Sequence, residues 1–250
     1  MYTIQVFKVG ESMVPGPEIY WQQHNGKWYQ LGFFIWLIRG QGRTLLIDTG
    51  QEPDVSWLND WMNRWKGPEA YWITTDVPVS CLARVGVQPE DVEHVILSSL
   101  GPYAAANCHR FPRAHFWISR TGWNEYFDPK YPFFRYPINP QAMAYLTTEA
   151  LERLHLVEGE AEVVPGIRVW ETGCHHRHSQ AISIETAKGK AIMADSVFYF
   201  DNIEQNVYLG ICQNVFECID LWDRIRREAA IVLPSHDPAI LQRYPNGIIP

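Results

Sequence analysis

An apolar strand running into a loop of small residues constrains this chain more than any other stretch. It reads Val95-Ile96-Leu97-Ser98-Ser99-Leu100-Gly101-Pro102-Tyr103-Ala104-Ala105-Ala106-Asn107. Three polar landmarks follow: Cys174-His175-His176-Arg177-His178, Ala194-Asp195-Ser196 and Pro234-Ser235-His236-Asp237-Pro238. Each of those also sits just past a strand-like run, so the chemistry-bearing residues share one local setting, the polar end of a buried strand.

The rest of the chain predicts a mixed scaffold. Residues 2–8 alternate in hydrophobicity and predict an opening strand. Residues 16–31, with Gly16, Pro17, Gly26 and the aromatics Tyr20, Trp21, Trp28 and Tyr29, read as a loop or loose hairpin. The apolar runs 33–39 and 44–48 are joined by Gly40-Gln41-Gly42, a hairpin signal. Leu58, Trp61, Met62 and Trp65 recur at helical spacing within 55–65 and predict a helix packing an apolar stripe. Short helices are expected at 78–84, 103–107 and 148–154, and a strand at 94–98. The Pro- and Tyr-rich stretch 128–140 reads as a long surface loop or cap. Strands follow at 167–171, 181–185 and 190–195. The clearest helix is 214–229, where Val215, Cys218, Ile219, Trp222 and Ile225 share one face. Asn214 can cap it, with Glu217 at the capping-box position. A buried strand at 230–233 and a short helix at 237–244 close the chain.

The run ending at Asp195 echoes the run ending at Asp48. This weak internal symmetry fits two similar halves, an α+β chain folded as a four-layer αβ/βα sandwich. At 250 residues the chain buries a large core as one domain over 1–250, with no linker long enough to divide it.

Charge narrows the partners. A net charge of −7 and no basic stripe argue against nucleic acid. Arg224, Arg226 and Arg227 cluster, but Glu217, Asp220, Asp223 and Glu228 surround them, as on a solvated helix face. Eleven Trp, twelve Tyr and eleven Phe point either to an aromatic-lined pocket or to extra core and interface mass. The five cysteines (Cys81, Cys108, Cys174, Cys212 and Cys218) form no CxxC pair, and their odd number leaves at least one free thiol. With no basic, apolar leader in Met1-Tyr2-Thr3-Ile4-Gln5 and no run of membrane-spanning length, the expectation is a cytoplasmic protein without membrane partners.

The order of these landmarks resembles the metallo-β-lactamase superfamily, most closely its N-acyl homoserine lactonase branch. The resemblance runs through Leu45-Leu46-Ile47-Asp48-Thr49-Gly50, the 95–107 strand-loop, Phe111-Pro112, Asp195, His236-Asp237-Pro238 and Arg243-Tyr244-Pro245. It implies a strand at 111–118 followed by a helix at 123–127. In that family the first loop reads His-x-His-x-Asp-His and supplies four of seven metal ligands. Here those positions are Ser99, Gly101, Tyr103 and Ala104. The resemblance makes Asp48 a structural corner, Asp195 the bridging carboxylate and His236 the last imidazole on the second metal. Against the family's Gly-His-x-Pro-Gly-His, Gly173-Cys174-His175-His176-Arg177-His178 puts Cys174 at a ligand position, or His175 if the match slips by one residue. His178 takes the place of a supporting histidine. Phe198 stands where lactonases of this type carry a Tyr that helps polarise the substrate carbonyl. His94 lies five residues before Ser99, roughly 16 Å along a strand, too far to replace a lost ligand. Cys108, one helical turn beyond Ala104, is a weaker candidate.

Two arrangements of the site are open. In one, His175 or Cys174, Asp195 and His236 hold a single Zn(II) or Fe(II) ion with open positions, and the chain is a divergent lactonase-like hydrolase of a small ester, lactone or amide. In the other there is no metal. Ser99, Gly101 and Ala104 then leave a vacated pocket beside Tyr103 and Phe198, for a small-ligand binder or a metal-independent acid–base catalyst using His175 and Asp195 with Tyr103. The survivors also read as a buried, hydrogen-bonded cluster kept for packing. Ser99 has no Gly-x-Ser-x-Gly elbow to make it a nucleophile. The resemblance and the aromatic content are both compatible with a homodimer.

Overall fold

The run Phe33-Phe34-Ile35-Trp36-Leu37-Ile38 is buried along its whole length, which a strand permits only when both faces of its sheet are covered. The computed structural model describes residues 1–131 and 137–250, and it supplies those two covers. Residues 132–136, inside the loop expected at 128–140, lie outside the described residues.

The first sheet holds β1 (Thr3–Pro15), β2 (Trp28–Gly40), β3 (Arg43–Ile47), β4 (Tyr71–Thr74), β5 (His94–Ile96), β6 (His115–Ser119), β7 (Leu154–Val157) and, at its edge, β13 (Ile248–Ile249). Its order is β13-β1-β2-β3-β5-β6-β7, with β4 also pairing β1. The second sheet holds β8 (Glu160–Val164), β9 (Ile167–Glu171), β10 (Gln180–Thr186), β11 (Gly189–Ala194) and β12 (Ile231–Pro234), ordered β12-β11-β10-β9-β8. The helices are α1 (Gly16–Ile19), α2 (Ser56–Lys66), α3 (Pro78–Ala83), α4 (Pro102–Ala105), α5 (Arg120–Phe127), α6 (Pro140–Thr147), α7 (Phe200–Glu204), α8 (Val215–Glu228) and α9 (Ile240–Arg243).

Alternation sorts the side chains into layers. Phe34, Trp36 and Ile38 join Ile4, Val6, Leu45 and Ile47 against Val169, Ile182, Ile184 and Met193, the core between the sheets. Ile35 and Leu37 face the other way, into a second core with Leu58, Met62, Leu82 and Leu146. Cys218, Leu221, Trp222 and Ile225 of α8 pack in that same cluster with Ala181, Ile192 and Ala194 of the second sheet. The result is the expected helix–sheet–sheet–helix sandwich.

Several local expectations are corrected. The opening strand runs to Pro15, because β1 pairs with β2 through Pro15↔Trp28 and with β4 through Ser12↔Trp72. Residues 16–31 therefore contain the end of a long hairpin as well as a loop. The strand expected at 111–118 starts only at His115, since 108–110 form a 3-10 turn. The helix expected at 148–154 is shortened to a 3-10 turn at Leu151–Arg153, with β7 starting at Leu154, and a longer helix, α6, precedes it, capped by Asn139 Oδ1 accepting from the Ala142 N–H. Asn214 does cap α8, accepting from the Phe216 N–H at 3.0 Å. Glu217 does not complete a capping box, because its carboxylate is drawn across to the Cys174 N–H and Arg177.

Candidate functional site

The polar strand ends meet where the two sheets open. Asp48, at φ +60°, turns the chain after β3 and accepts from the Ser98 N–H at 2.7 Å and the Ser98 hydroxyl at 2.6 Å. Burial pushes its carboxyl up to about 8 against those two hydrogen bonds. Thr49 and Asn107 stitch the following loops together: Thr49 Oγ1 donates to Ala104 O at 2.9 Å, and Asn107 Nδ2 donates to Gln51 O at 2.9 Å. Cys108 is drawn into this lattice beside Thr49 Oγ1, at 4.0 Å, and its thiol is pushed up to about 12 by burial. It is not among the cavity-lining residues.

Across the opening, Gln180 ties the sheets. Its side-chain amide donates to Leu97 O at 2.6 Å and its backbone N–H to Ser98 O at 2.7 Å. Asp195, after β11, accepts from the Tyr103 hydroxyl at 2.8 Å on Oδ1 and from the Ser179 hydroxyl on Oδ2. Burial raises its carboxyl to about 7, opposed by both hydroxyls. The Tyr103 hydroxyl is also 3.1 Å from Ser99 Oγ, which accepts from the Gly101 N–H at 2.9 Å. Ser99 Oγ lies 3.1 Å from His178 Nδ1, and that nitrogen accepts the Leu100 N–H at 3.2 Å. The accepted N–H assigns the proton of neutral His178 to Nε2, so Ser99 donates to Nδ1. Burial lowers His178 to about 3. Gly101 makes this possible, since a Cβ there would lie 2.7 Å from the Tyr103 ring.

Two further imidazoles are fixed through Nδ1. His175 contacts Ile211 O at 2.5 Å and His236 contacts Gly32 O at 3.1 Å. A carbonyl only accepts, so each Nδ1 carries the proton and each Nε2 keeps a lone pair. Burial holds both rings neutral, near 3 for His175 and about 4 for His236. Phe198 stands edge-on to both, its centroid 4.9 Å from His175 and 4.6 Å from His236.

These three side chains line one cavity with Tyr103, Phe33, Trp72, Ser12, Met62 and Ile211, and with Lys66 and Glu18, which pair as an ion pair. Its open space, mouth included, is about 340 Å³, of which about 30 Å³ is wide enough to place the centre of a water-sized body. The structure thus brings His175, His236, Tyr103 and Phe198 to one cavity. Ser99, Gly101 and Ala104 are buried and not among the residues lining it, and Asp195 meets it only through the phenol of Tyr103. Sequence reading did not find Ser12, Lys66 or Trp72, and no motif marks them. They arrive through β1, α2 and β4, whose pairing is long-range.

Cys174 as a metal ligand is corrected. It forms a disulfide with Cys218 of α8, with a Cα–Cα distance of 5.0 Å, so its sulfur has no thiolate to offer. The loop around it is pinned from outside. Gly173 and Cys174 both adopt positive φ, and a Cβ at Gly173 would collide with Glu217, which accepts the Cys174 N–H at 2.7 Å and pairs with Arg177. Cys81, Cys108 and Cys212 are free.

No family model matches the chain. An N-acyl homoserine lactonase of Bacillus thuringiensis is 25% identical over 223 residues, covering 85% of this chain and 84% of the relative. One from Bacillus cereus is 28% identical over 192 residues, covering 73% and 70%. The solved structure of an N-acyl homoserine lactone hydrolase, with the product N-hexanoyl-L-homoserine at its catalytic metal center, superposes with a TM-score of 0.75 at 20% identity, over 96% of this chain and 95% of that one. A dizinc quorum-quenching lactonase superposes at 0.68 and 12% identity, over 99% and 89%. This is a metallo-β-lactamase fold. Within that fold the chain resembles the N-acyl homoserine lactonase branch.

The metallo-β-lactamase scaffold raises the question of a metal, and the residues here do not fit one. The Tyr103 hydroxyl lies between Ser99 and Asp195 and hydrogen-bonds the carboxylate a metal would need. The second Asp195 oxygen is occupied by Ser179. Cys174 is consumed in a disulfide. Among the described residues, no three His, Cys, Asp or Glu side chains converge closely enough to hold a metal ion. No helix among the described residues is long and apolar enough to cross a membrane.

Proposed function

We propose that this chain is a lactonase-like protein that takes a small, partly apolar ester, lactone or amide into the cavity of His175, His236, Tyr103 and Phe198 without a resident metal. The observation that carries this reading is the phenol of Tyr103, whose hydroxyl hydrogen-bonds Asp195, the carboxylate that the family resemblance assigns to a metal. The resemblance to N-acyl homoserine lactonases supports the substrate class. The cavity is apolar on Val14, Leu31, Phe33 and Met62 and polar on the two imidazoles, which suits a compact amphiphilic ligand.

A second reading, metal-independent hydrolysis, is favoured by the two fixed imidazoles. An Nε2 lone pair held by an Nδ1–H···O=C bond is oriented to take a proton from water. Both rings are weak bases, so turnover would be slow. Asp195, one bond behind Tyr103, is then a positioning group, and Phe198 supplies no hydroxyl to polarise a carbonyl.

The test is a panel of small esters, lactones and amides presented to chelator-treated protein, read by ligand-observed NMR for binding and by product formation for turnover. Binding that survives the chelator and is lost on Phe198→Trp, which fills the cavity, is the expected result. A panel that binds or reacts only when zinc, manganese or iron is added back would end this reading and restore the one-metal hydrolase.

A further inference from the structure

Two buried donors in the cavity wall have no hydrogen-bond partner among the described residues. Ser12 of β1 is directly opposite Leu31 of β2 and Trp72 of β4, so the three side chains project from the same face into the cavity lining. Ser12 Oγ and Trp72 Nε1 are both buried, and neither has a hydrogen-bond partner among the described residues. Indole N–H is a donor only, and a buried donor without an acceptor is a feature native proteins rarely keep. Tyr103 shares the site with them, its centroid 6.3 Å from that of Trp72.

The imidazoles present the opposite need. His175 and His236 each spend Nδ1–H on a backbone carbonyl, which leaves Nε2 able only to accept. The wall therefore offers donors from the first sheet and acceptors from the loops after β9 and β12. Lys66 and Glu18, the charged residues of the lining, neutralise each other as an ion pair. An anion or a cation would have to break that pair to be matched.

We propose that the cavity selects an uncharged head group carrying both an N–H donor and a carbonyl acceptor, a carboxamide or lactam, over the ester or lactone of the same shape. The carbonyl oxygen accepts from Ser12 and Trp72, and the N–H donates to an imidazole Nε2. An ester or lactone has the oxygen but no N–H, so it leaves the imidazole unmatched. This rests on the reading of the cavity as a small-ligand site and narrows its ligand.

The test compares 2-pyrrolidinone with γ-butyrolactone, rings of one shape that differ by N–H against O. Titrations of the full-length protein are followed by NMR. Pyrrolidinone is expected to bind about tenfold more tightly, the difference one well-placed hydrogen bond makes. Trp72→Phe, which keeps an aromatic ring and removes the N–H, and Ser12→Ala are each expected to weaken pyrrolidinone several-fold. Equal affinity for lactam and lactone, or pyrrolidinone binding unchanged in both variants, overturns the proposal while the small-ligand reading stands. No binding by either ring, nor by any other member of the panel, overturns both.

Discussion

Two carboxylates occupy matching corners in the two halves of the sandwich, and they are held differently. Asp48 follows β3 and takes both its hydrogen bonds from one residue, the backbone N–H and hydroxyl of Ser98. Asp195 follows β11 and takes its two from side-chain hydroxyls on separate segments, Tyr103 of α4 and Ser179 before β10. Both are buried and both are pushed upward by it. The first corner is bolted to backbone and has only an architectural use. The second is held by side-chain hydroxyls alone, and it stands one phenol away from a cavity. The same fold position is thus tied to a neighbouring strand end in one half and to side chains beside a cavity in the other.

The largest expected effect comes from the rigid corner. Asp48→Ala strands the Ser98 N–H and hydroxyl in the core and is expected to cost about 3–4 kcal/mol in urea unfolding. Asp195→Ala is expected to cost less, about 2 kcal/mol, because Tyr103 can turn its proton to Ser99. Equal costs would erase the distinction between the corners.

The pH dependence sharpens it. Asp195 is raised from 3.8 to about 7, so the folded state favours its protonated form; that contribution is fully present below pH 4 and is lost as pH rises through 7. Asp195→Asn is expected to remove this loss and leave the one from Asp48, which continues to about pH 8. The histidines act in the other direction. His175, His178 and His236 are lowered, so their contribution is present above pH 6.5 and disappears as pH falls through 4 towards 3. Melting temperatures of parent and Asn variant from pH 4 to 9 check both signs, and parallel curves would contradict the assignment to Asp195.

Smaller effects follow at the periphery. Tyr103→Phe keeps the ring that stacks on Phe33 and removes one donor, so about 1–2 kcal/mol is expected in urea unfolding. Glu217→Gln loosens the half-exposed clamp on the 173–177 loop and is expected to cost about 1 kcal/mol or less, measured the same way.

Much of this was legible in the sequence. The hairpin at Gly40-Gln41-Gly42, the apolar face of α8 and the paired runs ending at Asp48 and Asp195 follow from local patterns, and they sufficed for the layered fold. The gathering of His175, Tyr103, Phe198 and His236 was legible through the family resemblance rather than through local pattern. What escaped was non-local. The disulfide that removes Cys174 depends on α8 reaching a loop 44 residues earlier, which no spacing encodes. The phenol bridging Ser99 and Asp195 depends on the space above Gly101. Ser12 and Trp72 meet only because β1 pairs with β4. The start of β6 moved to His115 because a 3-10 turn at 108–110 precedes it, and the helix expected at 148–154 was cut short where β7 pairs with β6.

The central claim is that the Tyr103 phenol and the Ser179 hydroxyl organise the Asp195 corner in place of a metal. Metal content by mass spectrometry, on purified untagged protein incubated with zinc, manganese and iron and then desalted, tests it most directly. The expected result is far below one ion per chain, the same in His236→Ala. Near-stoichiometric zinc or iron that disappears in His236→Ala would contradict the account.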